Sequence, residues 1–211
     1  MADFDEATAT TDELWDWCLR EYQSTHPIVQ FLFNNFFAKI HQIVNLLEKD
    51  ARVLEVGCGA GVSALRIREM LSGQEFHVSD FDARYVAKLK EINFPLPVQQ
   101  ESVLQLNRQD HAYDCIFLLE VLEHIQDYER ALSELFRVSR KYVVISVPNE
   151  PLWRILNIVR GQYLKRWGNT PGHINHWSPA AIKRLVLHYG IILKTYTPIP
   201  WTIVLAEKRS A

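Results

Sequence analysis

Hydrophobic positions along this chain fall into two alternating periods. Short β-branched and apolar runs at Arg52–Val56, Glu75–Ser79, Val98–Val103 and Tyr142–Val147 read as buried strands, as does the segment Tyr113–His124 before it runs into polar residues. Between them, Val62–Leu71, the segment after Asp82 that carries Tyr85, Val86 and Leu89 on one face, and Tyr128–Ser139 have helical spacing. Ser178-Pro179 opens a further helix with Ile182, Leu185, Val186 and Tyr189 facing inward and Gly190 closing it. Ile191–Thr197 and Trp201–Glu207 then pair as an antiparallel hairpin across Pro198-Ile199-Pro200. Strands that alternate with helices predict an α/β fold: a seven-stranded, mostly parallel sheet with helices on both faces and a C-terminal antiparallel hairpin.

Two segments stand outside that alternation. The apolar run Ile28–Leu47 is interrupted by Asn34, Asn35, Lys39, His41, Gln42 and Asn45, which predicts an amphipathic helix rather than a membrane span. With Trp15, Trp17 and Tyr22 before it, residues 1–50 read as a helical cap. Residues 151–177 read as an insertion on the substrate side. Within it, Leu152, Ile155, Leu156, Val159, Tyr163 and Trp167 fall at helical spacing over Pro151–Trp167, with Arg154, Arg160, Lys165 and Arg166 beside or opposite them. That basic, aromatic segment suits a helix packed over a pocket with a solvated outer face; its sharper reading is contact with a membrane surface or a lipid-like substrate.

Composition bounds the rest. A chain of 211 residues with 48% hydrophobic content and no repeat fits one domain, 1–211. A net charge of −2 gives no global attraction to nucleic acid. Cys18, Cys58 and Cys115 have neither paired nor metal-ligand spacing, which favours a reducing compartment. The acidic, polar Met1–Glu6 lacks the pattern of a secretory signal, so a cytoplasmic location is expected, with peripheral membrane contact through 151–167.

The richest chemistry sits at Val53-Leu54-Glu55-Val56-Gly57-Cys58-Gly59-Ala60-Gly61, a strand-to-helix turn with three glycines behind an acid. Glycine admits unusual backbone angles and lets a ligand approach the main chain, while the helix N-terminus presents free N–H groups. A dinucleotide fingerprint would need its third glycine where Val62 stands, and its pyrophosphate would be poorly served by Glu55; the loop suits a cation. Cys58 inside it is explained by packing beside a cofactor rather than by catalysis. About 20 residues on, Asp80 ends a strand where nucleotide-binding α/β folds take hydrogen bonds from ribose hydroxyls, and Asp82 suits a helix cap.

The glycine turn resembles motif I, E-x-G-x-G-x-G, of the class I S-adenosylmethionine (SAM)-dependent methyltransferases, matched by Glu55, Gly57, Gly59 and Gly61. Tyr113-Asp114-Cys115-Ile116-Phe117-Leu118-Leu119-Glu120-Val121-Leu122-Glu123-His124 is similar to the Y/F-D-x-I…E-V-L-E-H-I segment of the methyltransferase type 11 group, which includes ubiquinone-biosynthesis methyltransferases. The resemblance spans about Val53 to Pro148. It implies a Rossmann-like fold with SAM as cofactor, its aminoacyl end in the loop of Glu55, Gly57, Cys58, Gly59 and Gly61, and its methionine part flanked by Leu118, Leu119 and Glu120. It also implies N-terminal helices over the mouth of the site. Two departures stand out. Where the family carries Gly-Asp after its third strand, with the acid on the adenine amino group, this chain has Glu101-Ser102, which leaves that contact to Ser102 or the backbone of Val103. Where the family often has Gly-Gly before its fifth strand, this chain has Arg140-Lys141, a turn of another conformation.

Methyl transfer from a sulfonium asks mainly for alignment, plus a base if the acceptor is a hydroxyl. His124 is the leading base, with His173 and His176 as the others. The principal reading holds no metal. Its minority alternative gathers Glu120, Glu123, His124 and His173 or His176 around one divalent cation, because E-x-x-E-H with a later histidine resembles the metal-dependent small-RNA 3′-terminal 2′-O-methyltransferases and the ubiquinone-type O-methyltransferases that use magnesium. The expected function is methyl transfer to a small-molecule or lipid-like acceptor at a hydroxyl oxygen. The competing readings are a metal-dependent RNA 2′-O-methyltransferase, disfavoured because the basic stretch is confined to Arg154–Arg166, and a non-catalytic SAM-binding partner protein. Nothing in the pattern marks an oligomeric state.

Overall fold

The computed structural model describes residues 8–20 and 22–209; Met1–Glu6, and with it the signal-peptide reading, lies outside the described residues. Thr10 caps α1 (Thr11–Leu19) through a capping box, its hydroxyl accepting from the Glu13 N–H while the Glu13 carboxylate accepts from the Thr10 N–H at 2.9 Å. Helix α2 (Pro27–Val44) starts with proline at its first position, where the missing N–H costs nothing, and buries Phe36, Phe37, Ile40, Ile43 and Val44.

The parallel elements follow as β1 (Arg52–Val56), α3 (Val62–Met70), β2 (Glu75–Asp80), α4 (Ala83–Glu91), β3 (Val98–Gln100), β4 (Tyr113–Leu119), α5 (Tyr128–Val138) and β5 (Ser139–Pro148). The chain continues through α6 (Leu152–Val159), α7 (Pro179–Val186), β6 (Gly190–Tyr196) and β7 (Trp201–Lys208). The seven strands form one sheet in the order β3-β2-β1-β4-β5-β7-β6, with β7 antiparallel to both of its neighbours.

Strand residues alternate between two cores. Leu54, Val56, Ile116, Leu118, Val143 and Ile145 face α5 and α7, whereas Val53, Val78, Cys115, Phe117 and Val144 face α2 and α3. The crossovers leave β1 toward β2 and β3 on one side, and β4 and β5 lie on the other. The crevice beyond the carboxyl ends of β1 and β4 is therefore the switch point, where open sheets of this kind bind ligands.

Four local expectations are corrected. The strand expected over Val98–Val103 ends at Gln100, because Ser102 turns back to form an isolated bridge with Gln105. Arg140 and Lys141 do not form a turn: α5 runs straight into β5, which begins at Ser139. Gly190 is the first residue of β6 rather than a helix stop, and a side chain there would strike the Glu207 carbonyl at 2.6 Å on β7. The helical stripe over Pro151–Trp167 breaks after Val159; Gly161 has φ +69°, and Tyr163 and Trp167 are left-handed around a 3-10 turn at Leu164–Arg166.

Candidate active site

The glycine turn is fixed from beneath by β2. Gly57 and Cys58 both donate to the Ser79 carbonyl, at 2.8 and 3.0 Å, and Gly61 donates to Cys58 at 2.8 Å. Gly57, Gly59 and Gly61 all have positive φ. A Cβ on Gly57 would run into the Val121 side chain, and one on Gly61 would meet the Phe94 ring at 2.6 Å, so these two glycines serve packing. Gly59 faces the crevice, its nearest neighbour being the Cys18 sulfur at 3.3 Å from an added Cβ.

Acids ring this loop. Glu55 lies under it, 1% exposed, with Oε1 accepting from the Ser63 hydroxyl at 2.5 Å and Oε2 without a protein partner. Burial raises its pKa to about 7, against the pull of the Ser63 hydrogen bond, and nearby Asp80 adds to the rise. Asp80 accepts from the Gly59 N–H at 2.8 Å and the Asp82 N–H at 2.9 Å, and burial outweighs those bonds to raise its pKa. Asp82 caps α4 and pairs with the Arg84 guanidinium. Asp82 is thus the helix cap, as expected, and Asp80 clamps the glycine turn.

Both acids open onto a cleft of about 820 Å³. Leu119 and Glu120 line it, as do Ser102 and Val103, whereas Leu118 points into the core. Glu120 sits at φ +57° just past β4, and its Oε1 accepts from the Ser146 hydroxyl at 2.7 Å. Glu101, a departure from the family pattern, is a buried ion-pair partner: its Oε2 takes two hydrogen bonds from Arg108, whose guanidinium also donates to the Tyr113 hydroxyl at 2.9 Å. Cys58 is buried, and burial pushes its thiol well above the usual range, so it is no nucleophile at neutral pH.

At the far end, Glu123 and His124 sit on a 3-10 turn after β4, and His173 comes from the segment behind α6. The two imidazoles meet edge to face with ring centroids 4.9 Å apart. Ligand-capable atoms of Glu123, His124 and His173 all lie within 4.8 Å of one another, and Glu123 Oε2 has no protein partner. Burial, and then the charge of Glu120, hold the Glu123 carboxyl well above the usual range. Burial lowers His124, and it takes His173 down to about 3. Both rings are therefore neutral at physiological pH. His176 stands apart, exposed and bonded to Asn169 Oδ1 at 2.8 Å.

Aromatic rings line the cleft from the cap to the histidines. Tyr22 meets Phe33 at 4.7 Å, Phe33 meets Trp201 at 5.2 Å, Trp201 meets Trp153 at 6.1 Å, and Trp153 stacks near His173 at 6.0 Å. Trp153 Nε1 and Asn157 Nδ2 both donate to the Thr170 hydroxyl, tying α6 to the segment that carries His173. Sequence reading missed Phe33, Trp201, Asn157 and Thr170 as cleft residues. They come from four separated stretches, and Trp201 carried only the signal of a strand.

Among the described residues the cleft is lined by five carboxylates, Asp80, Asp82, Glu101, Glu120 and Glu123, and by one guanidinium, Arg20. Two of the acids have arginine partners behind the wall, so the remaining field favours a positively charged ligand. The Glu55 oxygen without a protein partner, beneath a turn where Gly57 and Gly61 leave no room for a side chain, fits a cationic group such as the ammonium of SAM. A methyltransferase domain family model matches residues 28–192, and the chain belongs to that family. It is a class I SAM-dependent methyltransferase with SAM as its cofactor. It is similar to the ubiquinone biosynthesis O-methyltransferase of Rickettsia bellii, with 25% identity over 182 residues covering 81% of this chain and 73% of that protein. Demethylmenaquinone methyltransferase of Thermus thermophilus is 29% identical over 107 residues, 47% of this chain and 49% of that protein. Among solved structures, magnesium protoporphyrin IX methyltransferase (ChlM) from Synechocystis PCC 6803 with bound SAH shares the fold, with a TM-score of 0.66 and 18% identity over 92% of this chain and 94% of that chain.

Proposed function

We propose that this enzyme methylates a hydroxyl oxygen of a small, ring-bearing or lipid-like acceptor. The observation that carries the reading is the neutral His124–His173 pair at the end of an aromatic wall, within the same cleft as the acidic glycine turn. SAM supplies an electrophilic methyl group. Glu55 and the turn at Gly57, Cys58 and Gly59 hold its aminoacyl end, with Gly61 shaping the turn; Asp80 takes the ribose hydroxyls. Ser102 and Val103 meet the adenine, and Leu119 and Glu120 flank the methionine part. Trp153 and Trp201 present flat faces against which an acceptor ring stacks. His124, less buried than His173, takes the acceptor proton, and His173 sets its ring orientation. The two curated relatives named above act, by name, in ubiquinone biosynthesis and on demethylmenaquinone, which supports a quinol-type acceptor.

Among the described residues no helix is long and apolar enough to cross a membrane. Ile155, Val159, Leu164 and Trp167 nonetheless stand exposed beside Arg154, Arg160, Lys165 and Arg166, a surface suited to anionic headgroups next to the cleft. Co-sedimentation with anionic vesicles that survives neutralisation of all four cations would remove membrane contact from the proposal.

The Glu123, His124 and His173 cluster supports a second reading in which these side chains hold one divalent cation against the acceptor oxygen. Their mixed oxygen and nitrogen donors fit such an ion, and Glu123 would bind it deprotonated. Activity unchanged by a chelator would dispose of that reading. The primary test is calorimetric titration with SAM and S-adenosylhomocysteine, followed by a methyl-transfer screen of hydroxylated aromatics and quinols before RNA. Micromolar cofactor binding with transfer to such a hydroxyl is expected. Cofactor binding without transfer to any acceptor would instead mark a non-catalytic SAM-binding protein.

A further inference from the structure

A second hollow of about 270 Å³ opens between the start of α2, the segment before it and α3, and it shares Tyr22 and Phe33 with the main cleft. The rest of its lining is Ser24, Gln30, Asn34 and Arg66. Gln30, Phe33, Asn34 and Phe37 are spaced i, i+3, i+4 and i+7 on α2, so they form one stripe turned toward α3. Arg66 reaches that stripe from α3 and lays its guanidinium over the Phe37 ring, 5.0 Å from the centroid.

Stacking occupies the face of a guanidinium and leaves its N–H edge free to hydrogen-bond. Among the described residues that edge has no hydrogen-bond acceptor and no carboxylate partner. Arg66 is half-buried, where an uncompensated cation is costly. The neighbours add donors: the Ser24 oxygen accepts from the His26 N–H, which leaves its hydroxyl proton to give, and Gln30 and Asn34 carry amide N–H groups. Among the described residues no acid lines this hollow, in contrast to the five that line the cleft.

We propose that the hollow is an anion subsite that receives a carboxylate or phosphate group carried by the methyl acceptor, with Arg66 as its charged ligand. The inference rests on the proposed methylation of a ring-bearing acceptor: a part of the acceptor that lies on Phe33 and Tyr22 at the shared wall, beyond the ring stacked on Trp201, brings an attached oxyanion to the Arg66 edge. Arg66 positions and selects the acceptor and takes no part in the transfer.

The test titrates the full-length protein, saturated with S-adenosylhomocysteine, with benzoate, its neutral analogue benzamide, and inorganic phosphate. Wild type, Arg66→Gln and Arg66→Lys are compared. The expected result is benzoate binding at least tenfold tighter than benzamide, a preference abolished in Arg66→Gln and partly kept in Arg66→Lys, with phosphate a weak competitor. Equal binding of benzoate and benzamide, no binding of either, or a preference that survives Arg66→Gln overturns the subsite. Phosphate binding tighter than benzoate overturns the acceptor-borne assignment in favour of a free anion. S-adenosylhomocysteine affinity is measured in each sample. If it is unchanged while the benzoate preference is absent, the subsite fails and the methyltransferase reading stands; if hydroxyl methylation fails while the preference is present, the reverse holds.

Discussion

The two ends of the cleft are built in opposite ways. At the end proposed for the cofactor, neighbouring residues of single strand ends make the site: Glu55 lies in β1, Gly57 and Gly59 follow it, and Asp80 closes β2, cross-linked by hydrogen bonds of 2.8–3.0 Å through Ser79 and Gly59. At the acceptor end, rings and imidazoles arrive from α2, the turn after β4, α6, the loop before α7 and the start of β7. One end is acidic and fixed by backbone bonds; the other is aromatic and held by side-chain packing. The difference teaches that the acidic glycine turn is local in sequence, whereas the aromatic end, proposed to select the acceptor, is a property of assembly.

That contrast can be broken at the acceptor end first. Trp201 is buried against Phe33, Phe36 and Trp153, so Trp201→Ala should cost about 3–5 kcal/mol of stability in urea unfolding and detach the cap from the sheet. S-adenosylhomocysteine affinity per folded molecule should fall far less. His124→Gln should lower kcat by about 10²–10⁴ with cofactor affinity unchanged, as expected for loss of a general base. A fall in cofactor affinity instead would assign His124 to the other end.

Asp80→Ala sharpens the comparison from the cofactor side. It removes the acceptor of the Gly59 and Asp82 N–H bonds as well as the proposed ribose contact, and should weaken SAM binding by about 10–100-fold, read by calorimetry. The smallest effect concerns pH. Glu55 has its pKa raised by burial from 4.5 to about 7, so the folded state favours the protonated acid. Its contribution to stability is full below about pH 4.5 and is lost as pH rises through about 7. Cofactor-free protein should lose up to about 2–3 kcal/mol of stability between pH 5 and 8 from this group, and Glu55→Gln should flatten that slope in thermal melts while weakening SAM binding. A slope unchanged in the variant would show that Glu55 is not the titrating group.

Much of the cofactor end is legible in the amino-acid sequence, because strand ends and helix caps leave short-range signals. Asp82 reads as a cap and caps α4; the glycines read as a ligand turn and adopt positive φ. The residues that mislead do so for equally physical reasons. Gly190 has the look of a helix stop, yet it is needed where β6 and β7 pack too closely for a side chain. The apolar period of Pro151–Trp167 is real, but the chain breaks at Gly161 so that Thr170 can reach Trp153 and Asn157.

Sequence alone therefore determined the alternation of strands and helices and the acidic glycine turn with its preference for a cation, since each depends on residues within one strand, turn and helix, and the resemblance those residues carry implied SAM. Only the tertiary structure decided which rings line the far end of the cleft, that His124 and His173 touch although they lie far apart along the chain, and that Arg66 has no partner among the described residues beside a second hollow. These are contacts between distant segments, fixed by how helices pack on the two faces of the sheet, and no local period in the chain encodes them.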